Sequence, residues 1–280
     1  MVLINTILYG LTIGGILYII SIGLSLTFGM MKIVNFAHAL IYTISAYFII
    51  SLLPILYNSY ILGSLISILA IIPISYIVEK YIIRKLYGVS IDSAIIATYA
   101  VLLIGVDLIK WIWGATPIPL SVPLGRSAVT ISGISLPVYR LVIIIIAIIV
   151  YFLISFFFKK TLVGKIVVAA LEDKEAVKGL GIKVDKYFSL VFILGSCLAG
   201  LGGVLYAPII SVHPYMGFSI LLTCFAVVIV GGLGNIEGTA LSSLLLGIVI
   251  AVTGRYWPPA AEVIVFMIML IVLIFKPIEV

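Results

Sequence analysis

IVNFAHALIYTISAYFIISLLPILYNSYILGSLISILAIIPISYIV, residues 33–78, contains no Asp, Glu, Lys or Arg. A helix that crosses a bilayer needs about 20 mostly apolar residues, so this run is too long for a single span. Pro54 and Asn58, near its middle, are typical of a break between helices. The run therefore predicts two consecutive membrane helices, at about 36–55 and 60–78.

The whole chain has a similar composition. Of its 280 residues, 64% are hydrophobic and 9% are charged, whereas a soluble domain is about half apolar and about a quarter charged. The 16 basic and 10 acidic residues are too few to cover the surface of a soluble protein of this size. The composition indicates an all-α fold, in which residues 1–280 form one polytopic helical bundle. We expect such a bundle to be a multi-pass protein of the cell membrane, surrounded by the lipid bilayer.

Prolines, glycines and charges divide the apolar sequence into nine predicted transmembrane helices, or eight if the Gly-rich region 231–254 is re-entrant. Prolines and glycines between 114 and 138 predict a long outer loop. The most charged stretch, 159–186, predicts a long cytoplasmic loop. The predicted helices outside the first run lie at 3–28, 92–113, 139–158, two within 187–236, 239–254 and 260–276.

The basic residues are unevenly divided between the two sides of the predicted bundle. With the N-terminus outside and the C-terminus cytoplasmic, twelve of the 16 fall on the cytoplasmic side, where positively charged flanks are retained. The three tryptophans, Trp111, Trp113 and Trp257, then fall at outer helix ends, as interfacial anchors do. The predicted cytoplasmic set is Lys32, Lys80, Arg84, Lys85, Lys159, Lys160, Lys165, Lys174, Lys178, Lys183, Lys186 and Lys276; the outer set is Lys110, Arg126, Arg140 and Arg255.

No motif in the sequence indicates catalysis. The chain has no HExxH, no GxSxG and no GxxxxGK phosphate loop. Cys197 and Cys224 lie in apolar segments without metal-binding spacing, and the basic residues form no continuous patch for nucleic acid. We therefore expect a transport subunit that is not an enzyme and holds no cofactor. If ATP drives transport, the motor must be a separate chain.

Two polar residues, Asn35 and His38, lie about one helical turn apart at the start of an apolar stretch. Polar groups at membrane depth cost free energy unless they are paired or face a cavity, so both are candidates to line a path for a solute. Alternatively, Asn35 caps the following helix and His38 binds a neighbouring carbonyl. The residues alone leave both interpretations open.

The predicted cytoplasmic loop contains AALEDKEAVK, residues 169–178. Good helix formers in this segment, followed by Gly179 and Gly181, predict a helix with a glycine end. Because its charges lie all around the helix, it either stands in water as a linker or docks onto another protein.

A second distinctive segment is VGGLGNIEG, residues 230–238. Its glycines allow backbones to approach closely. Asn235 and Glu237 lie at the predicted start of the next helix, where the helix dipole favours a negative charge. The segment predicts close helix packing or, alternatively, a gate on the path.

Four stretches taken together resemble the permease subunits of the high-affinity branched-chain amino acid ATP-binding-cassette importers. They are NFAH at 35–38, GKIVVAALEDKEAVKGLGI at 164–182, HPYMGF at 213–218 and GGLGNIEGTALSSLLLGI at 231–248. The resemblance covers nearly the whole chain. It implies a pore shared with a second, related permease as a homodimer or heterodimer. It also implies two cytoplasmic ATPase subunits, which bind the ATP and Mg²⁺, and an extracytoplasmic substrate-binding protein.

The resemblance assigns a role to each group of site residues. Residues 164–182 look like the segment that couples the permease to its ATPase. The chain departs from the family pattern at Ala39, where Gly is frequent, and at Asn235 and Glu237. The predicted residues are Ser25, Thr27, Asn35 and His38 for the path; Gly164, Glu172, Asp173, Glu175, Gly179 and Gly181 for coupling; and Gly231, Gly232, Gly234, Asn235, Glu237 and Gly238 for a gate or helix packing.

Two alternatives to a branched-chain amino acid importer stay open. Relatives in the same superfamily are permeases for urea and short amides. A stand-alone secondary transporter or channel would use carboxylates inside the membrane for ion coupling. This second alternative is disfavoured, because the four acidic residues near predicted spans all map to helix ends: Asp92, Asp107, Glu237 and Glu262.

Overall fold

The computed structural model describes residues 2–122, 127–131 and 134–275. Arg126 and Lys276 of the charge argument, and Pro123, Gly125 and Gly133 of the predicted outer loop, lie outside these residues. The described elements are α1 (Val2–Met31), α2 (Ala37–Leu52), α3 (Tyr60–Tyr81), a 3-10 turn (Ile83–Leu86), α4 (Ile91–Trp113), β1 (Ala128–Ile131), β2 (Ile134–Pro137), α5 (Val138–Lys160), α6 (Leu162–Glu172), α7 (Lys174–Gly179), α8 (Val184–Tyr206), α9 (Met216–Gly231), α10 (Ile236–Tyr256) and α11 (Ala260–Phe275).

The bundle is helical, as predicted, with one small addition. Within the described residues, six helices are long and apolar enough to cross a membrane: α1, α3, α4, α5, α8 and α10. Helices α2, α9 and α11 are also apolar but have 16 residues each. The predicted outer loop contains a two-stranded antiparallel hairpin, in which Ala128 pairs with Pro137.

Contacts between helix ends give the bundle two distinct ends. At one, Lys159 of α5 pairs with Glu237 of α10, and Arg84 binds Ser189 of α8. Helices α6 and α7 lie at this end, which we call the lysine end. At the opposite end the indole of Trp113 donates to Ser51 of α2. We call it the tryptophan end.

Contacts at the tryptophan end join the remaining helix ends. Arg255 of α10 donates to Thr6 of α1, and Arg140 of α5 stacks over the ring of Tyr9. Successive apolar helices therefore run alternately from one end to the other. Lys32, Arg84 and Lys159, predicted to share a side, lie at the same end of the described bundle.

Helix α1 runs through the centre of the bundle. A Cβ added to Gly23 would lie 2.5 Å from the carbonyl oxygen of Gly195 in α8, and one added to Gly247 of α10 would lie 2.4 Å from the nitrogen of Gly14. Such contacts require glycine, because backbones this close leave no room for a side chain. Helix α10 follows α1 from Thr239, beside Ser25, to Ile248, beside Gly10. It therefore runs the length of α1 and does not turn back.

The single helix predicted over 169–178 is wrong. The chain forms α6 and α7 instead, with Asp173 in an extended conformation between them. The Asp173 side chain accepts a hydrogen bond from the N–H of Ala176 at 2.9 Å. Aspartate competes with the helical backbone in this way, which favours a helix start over a helix interior.

Candidate functional site

The connection from α1 to α2 returns into the bundle. Lys32 has a positive φ of 52°, and the chain then leads inward to Phe36. His38, in the first turn of α2, has Nε2 3.0 Å from the carbonyl oxygen of Ile20. Ile20 precedes the end of α1 by 11 residues, which is about 16 Å along a helix axis. The N-terminus of α2 therefore lies deep inside the bundle.

Asn35 does not cap α2. The N-cap residue is Phe36, and no side chain accepts a hydrogen bond from the first turn. The expectation that His38 binds a neighbouring carbonyl is confirmed. Because a carbonyl only accepts, Nε2 of His38 must carry the proton and donate, which leaves Nδ1 as an acceptor.

Polar atoms without partners lie along one side of α2 and of the residues just before it. Asn35 is 2% exposed and His38 1%. The Asn35 amide oxygen and nitrogen, the His38 Nδ1 and the Tyr42 hydroxyl have no hydrogen-bond partner in the described part of the chain. Buried polar groups are almost always paired, so such exceptions need a specific explanation. We call Asn35, His38 and Tyr42 the α2 stripe.

Ser25 and Thr27, the other predicted path residues, are hydrogen-bonded within the bundle. The Ser25 hydroxyl accepts from the N–H of Gly234 at 3.0 Å and lies 3.2 Å from the hydroxyl of Thr239. Thr27 donates to carbonyls of its own helix. The structure therefore places Ser25 at the joint between α1 and the α9–α10 turn, and it shows no hydrogen bond from either residue to the α2 stripe.

The glycines of the α9–α10 turn lie where backbones meet. A Cβ on Gly238 would lie 1.8 Å from the carbonyl oxygen of Gly231. Gly232 and Gly234 have φ of 89° and 73°, which favours glycine. The Asn235 side chain caps α10 by accepting from the N–H of Gly238 at 2.9 Å. Close packing is thus present at this turn, and its role as a gate stays a prediction.

Glu237 pairs across helices. Its carboxylate lies 2.5 Å from the ammonium of Lys159. Both side chains are more than half exposed, so solvent screens the pair and it contributes little to stability. It links the end of α5 to the start of α10 at the lysine end.

The predicted coupling residues divide into packed and exposed positions. Gly164 is buried, and a Cβ there would lie 2.3 Å from the carbonyl oxygen of Phe157. Around α7, by contrast, a Cβ on Gly179 would meet nothing within 4 Å. Gly181 has a φ of 78°, and the side chain of Leu180 between them is 78% exposed. The exposed members are Glu172, Asp173, Glu175, Gly179 and Gly181.

A buried carboxylate that the sequence did not reveal joins three elements of the lysine end. Glu79 of α3 is fully buried and accepts from the guanidinium of Arg84 at 3.1 and 2.8 Å. It also accepts from the hydroxyl of Ser189 in α8 at 2.9 Å and of Tyr87 at 3.3 Å. Burial, together with the charge of Glu79, raises the pKa of the Tyr87 hydroxyl. Arg84 was predicted at a cytoplasmic helix end, but the contact between Glu79 and α8 has no signal in the sequence.

The described residues contain no group of three or more His, Cys, Asp or Glu that could hold a metal ion.

Residues 6–274 match the family described as branched-chain amino acid transport system permease component. The chain is 25% identical to the high-affinity branched-chain amino acid transport system permease protein LivH of Salmonella typhimurium and 28% identical to BraD of Pseudomonas aeruginosa. Each alignment covers 96% of this chain and 92% of the relative.

A solved structure supports the fold. PsaBC from Streptococcus pneumoniae, in complex with Fab, superposes with a TM-score of 0.52 at 17% identity. The superposition covers 96% of this chain and 91% of the PsaBC chain. At this identity the likeness concerns the fold alone.

Proposed function

We propose, since this chain belongs to the branched-chain amino acid transport system permease family, a role in ATP-driven import. The chain is the transmembrane subunit of an importer for branched-chain amino acids. The observation that carries the proposal is the exposed α7 segment at the lysine end. Leu180, which directly follows α7, is 78% exposed on a surface of charged residues. Gly179 and Gly181 on either side of it leave the backbone accessible. Such a projection suits a groove on a partner protein.

The proposed topology has nine crossings, an outer N-terminus and a cytoplasmic C-terminus. It is supported by the alternation of helix direction in the bundle and by the gathering of Lys32, Arg84 and Lys159 at one end. Positive residues are retained on the cytoplasmic side. The lysine end therefore faces the cytoplasm, and the tryptophan end faces outward.

The proposed assembly contains a second related permease, two cytoplasmic ATPase subunits that bind ATP and Mg²⁺, and an outer substrate-binding protein. In this chain α7 receives the movement of one ATPase. Helix α6 joins it to α5, and the segment after α7 leads into α8. The Glu79 network ties α8 to α3, so a displacement of the loop is transmitted to both helices.

The proposed path is closed in this conformation. The α2 stripe is buried, and its polar atoms have no partners in the described part of the chain. Opening toward the tryptophan end would expose these atoms to the solute, and opening toward the lysine end would release it. This is alternating access, driven by closure of the ATPase pair.

A reconstitution experiment tests the proposal. The complex is placed in vesicles with the ATPase subunits and the binding protein, and uptake of labelled leucine and of urea is measured with and without ATP. We expect leucine uptake that requires ATP and the binding protein. Uptake of urea but not leucine would favour the amide alternative, and leucine uptake driven by a sodium gradient without ATPase subunits would contradict an ATP-driven importer.

A further inference from the structure

A cavity of about 240 Å³ lies in the half of the bundle toward the tryptophan end. It is bordered by α1, α2, α9, α10, α11, the end of α8 and the segment between α8 and α9. Pockets for drug-sized ligands measure about 300–1,000 Å³. This volume therefore suits a smaller molecule, such as a single free amino acid.

Two ionisable side chains line the cavity from different elements. His213 precedes α9, and Glu262 lies in the first turn of α11. Neither side chain forms a hydrogen bond or ion pair in the described part of the chain. His213 is half-buried and Glu262 is exposed at the start of α11, so both side chains are accessible to a ligand that enters the cavity.

The other residues that line the cavity are of two kinds, polar and apolar. Ser219 and Thr223, one turn apart on α9, contribute hydroxyl groups, whereas Leu17, Ile220 and Val265 contribute apolar walls. Met216, the first residue of α9, also lines the cavity. The N-terminal end of a helix carries a partial positive charge, which favours an anionic group on the His213 side.

Tyr42 joins the cavity to the α2 stripe. Tyr42 lines the cavity, and its buried hydroxyl has no partner in the described residues. His38 lies one turn closer to the start of α2, and Asn35 lies just before the helix. The cavity thus ends at the polar stripe that leads toward the lysine end.

We infer that this cavity is a low-affinity subsite of the permease for a zwitterionic aliphatic amino acid. His213 and the start of α9 receive the carboxylate, Glu262 receives the ammonium group, and the apolar walls contact the aliphatic side chain. A neutral amide such as urea supplies neither charge. The inference rests on the proposed function and assigns the substrate groups to residues of this chain.

Protection of an introduced cysteine tests the subsite directly. Ser219→Cys places a thiol in the cavity. Tyr57→Cys, at the same end of the bundle, is the control, because Tyr57 is 99% exposed between α2 and α3 and does not line the cavity. The reconstituted complex is labelled from outside with a small cationic methanethiosulfonate, without binding protein, in the presence of millimolar leucine, isoamylamine or 4-methylpentanoate.

We expect leucine to slow labelling of Ser219→Cys by about five-fold, as a ligand at about four times its Kd would. Isoamylamine and 4-methylpentanoate, which each lack one charge, should not slow it, and leucine should not slow labelling of Tyr57→Cys. Adding Glu262→Gln or His213→Gln to Ser219→Cys should abolish the protection.

Three results would overturn the inference. They are equal labelling with and without leucine, protection by the singly charged analogues, and protection that survives either Glu262→Gln or His213→Gln. ATP-dependent leucine uptake, measured in the same vesicles, reports separately on the proposed function. Normal uptake without protection would reject the subsite and leave the importer in place.

Discussion

The carboxylates Glu79 and Glu262 lie toward opposite ends of the bundle and have opposite surroundings. Glu79, toward the lysine end, is fully buried and accepts hydrogen bonds from Arg84, Ser189 and Tyr87. Glu262, toward the tryptophan end, borders a cavity and has no bonded partner among the described residues. Removing a carboxylate that is buried and fully bonded leaves its donors unpaired, whereas one left unbonded beside a cavity is available to a ligand. The lysine end is thus suited to transmit movement, and the tryptophan end is suited to bind a solute.

The largest effect is expected when the bonded carboxylate is removed. Glu79→Ala should lower the stability of the purified protein by about 3 kcal/mol, since it deletes a buried charged acceptor and leaves its donors unpaired. Glu262→Ala should change stability by less than about 0.5 kcal/mol, as substitutions away from such networks do. Thermal unfolding in detergent measures both. Equal losses of stability would contradict the contrast between the two ends.

A slightly smaller loss is expected at the α9–α10 turn. Gly238→Ala should cost about 2 kcal/mol, because its Cβ would meet the carbonyl oxygen of Gly231 and force the backbones apart. Gly179→Ala is the matched control, since its Cβ meets nothing within 4 Å. The same unfolding assay compares the two variants. An unaltered Gly238→Ala would show that α9 and α10 are not in close contact.

A smaller effect on stability, with the opposite sign, is expected in the α2 stripe. Asn35→Leu should stabilise the protein by about 1 kcal/mol, because it removes a buried amide without partners. It should nevertheless reduce leucine uptake per inserted complex, since the apolar side chain offers no contact to a polar solute.

Ser25→Ala provides the comparison for Asn35→Leu. It removes the hydrogen bond to Gly234 and should destabilise the protein by about 1 kcal/mol. Uptake per folded complex should change little. If Asn35→Leu transports normally, Asn35 does not belong to the path.

The sequence was sufficient to predict most helices, because long apolar runs and their charged ends directly reflect the bilayer. The helix predicted at 92–113 is observed as Ile91–Trp113, and that predicted at 60–78 extends to Tyr81. The same pattern could not predict how deep in the bundle α2 begins. Apolar residues would follow Lys32 whether the helix began at the surface or inside the bundle. The depth is set by contacts with Ile20 and Thr98 of other helices.

The candidate site was predictable only in part. Asn35 and His38 were recognisable as polar residues in an apolar run. The contact between Glu79 and Ser189 joins residues 110 positions apart, and the shared cavity of His213 and Glu262 joins two helix starts. Neither neighbourhood has a local sequence signal, because each depends on how separate helices pack.

Co-purification most directly tests whether the lysine end receives an ATPase. The tagged chain is isolated from native membranes in three forms: unaltered, Leu180→Asp, and Tyr57→Asp. Tyr57 is 99% exposed and lies at the opposite end from α7. We expect ATP-binding subunits to accompany the unaltered chain and Tyr57→Asp, and to be lost with Leu180→Asp. Retention of these subunits by Leu180→Asp, or their absence from all three forms, would contradict the account.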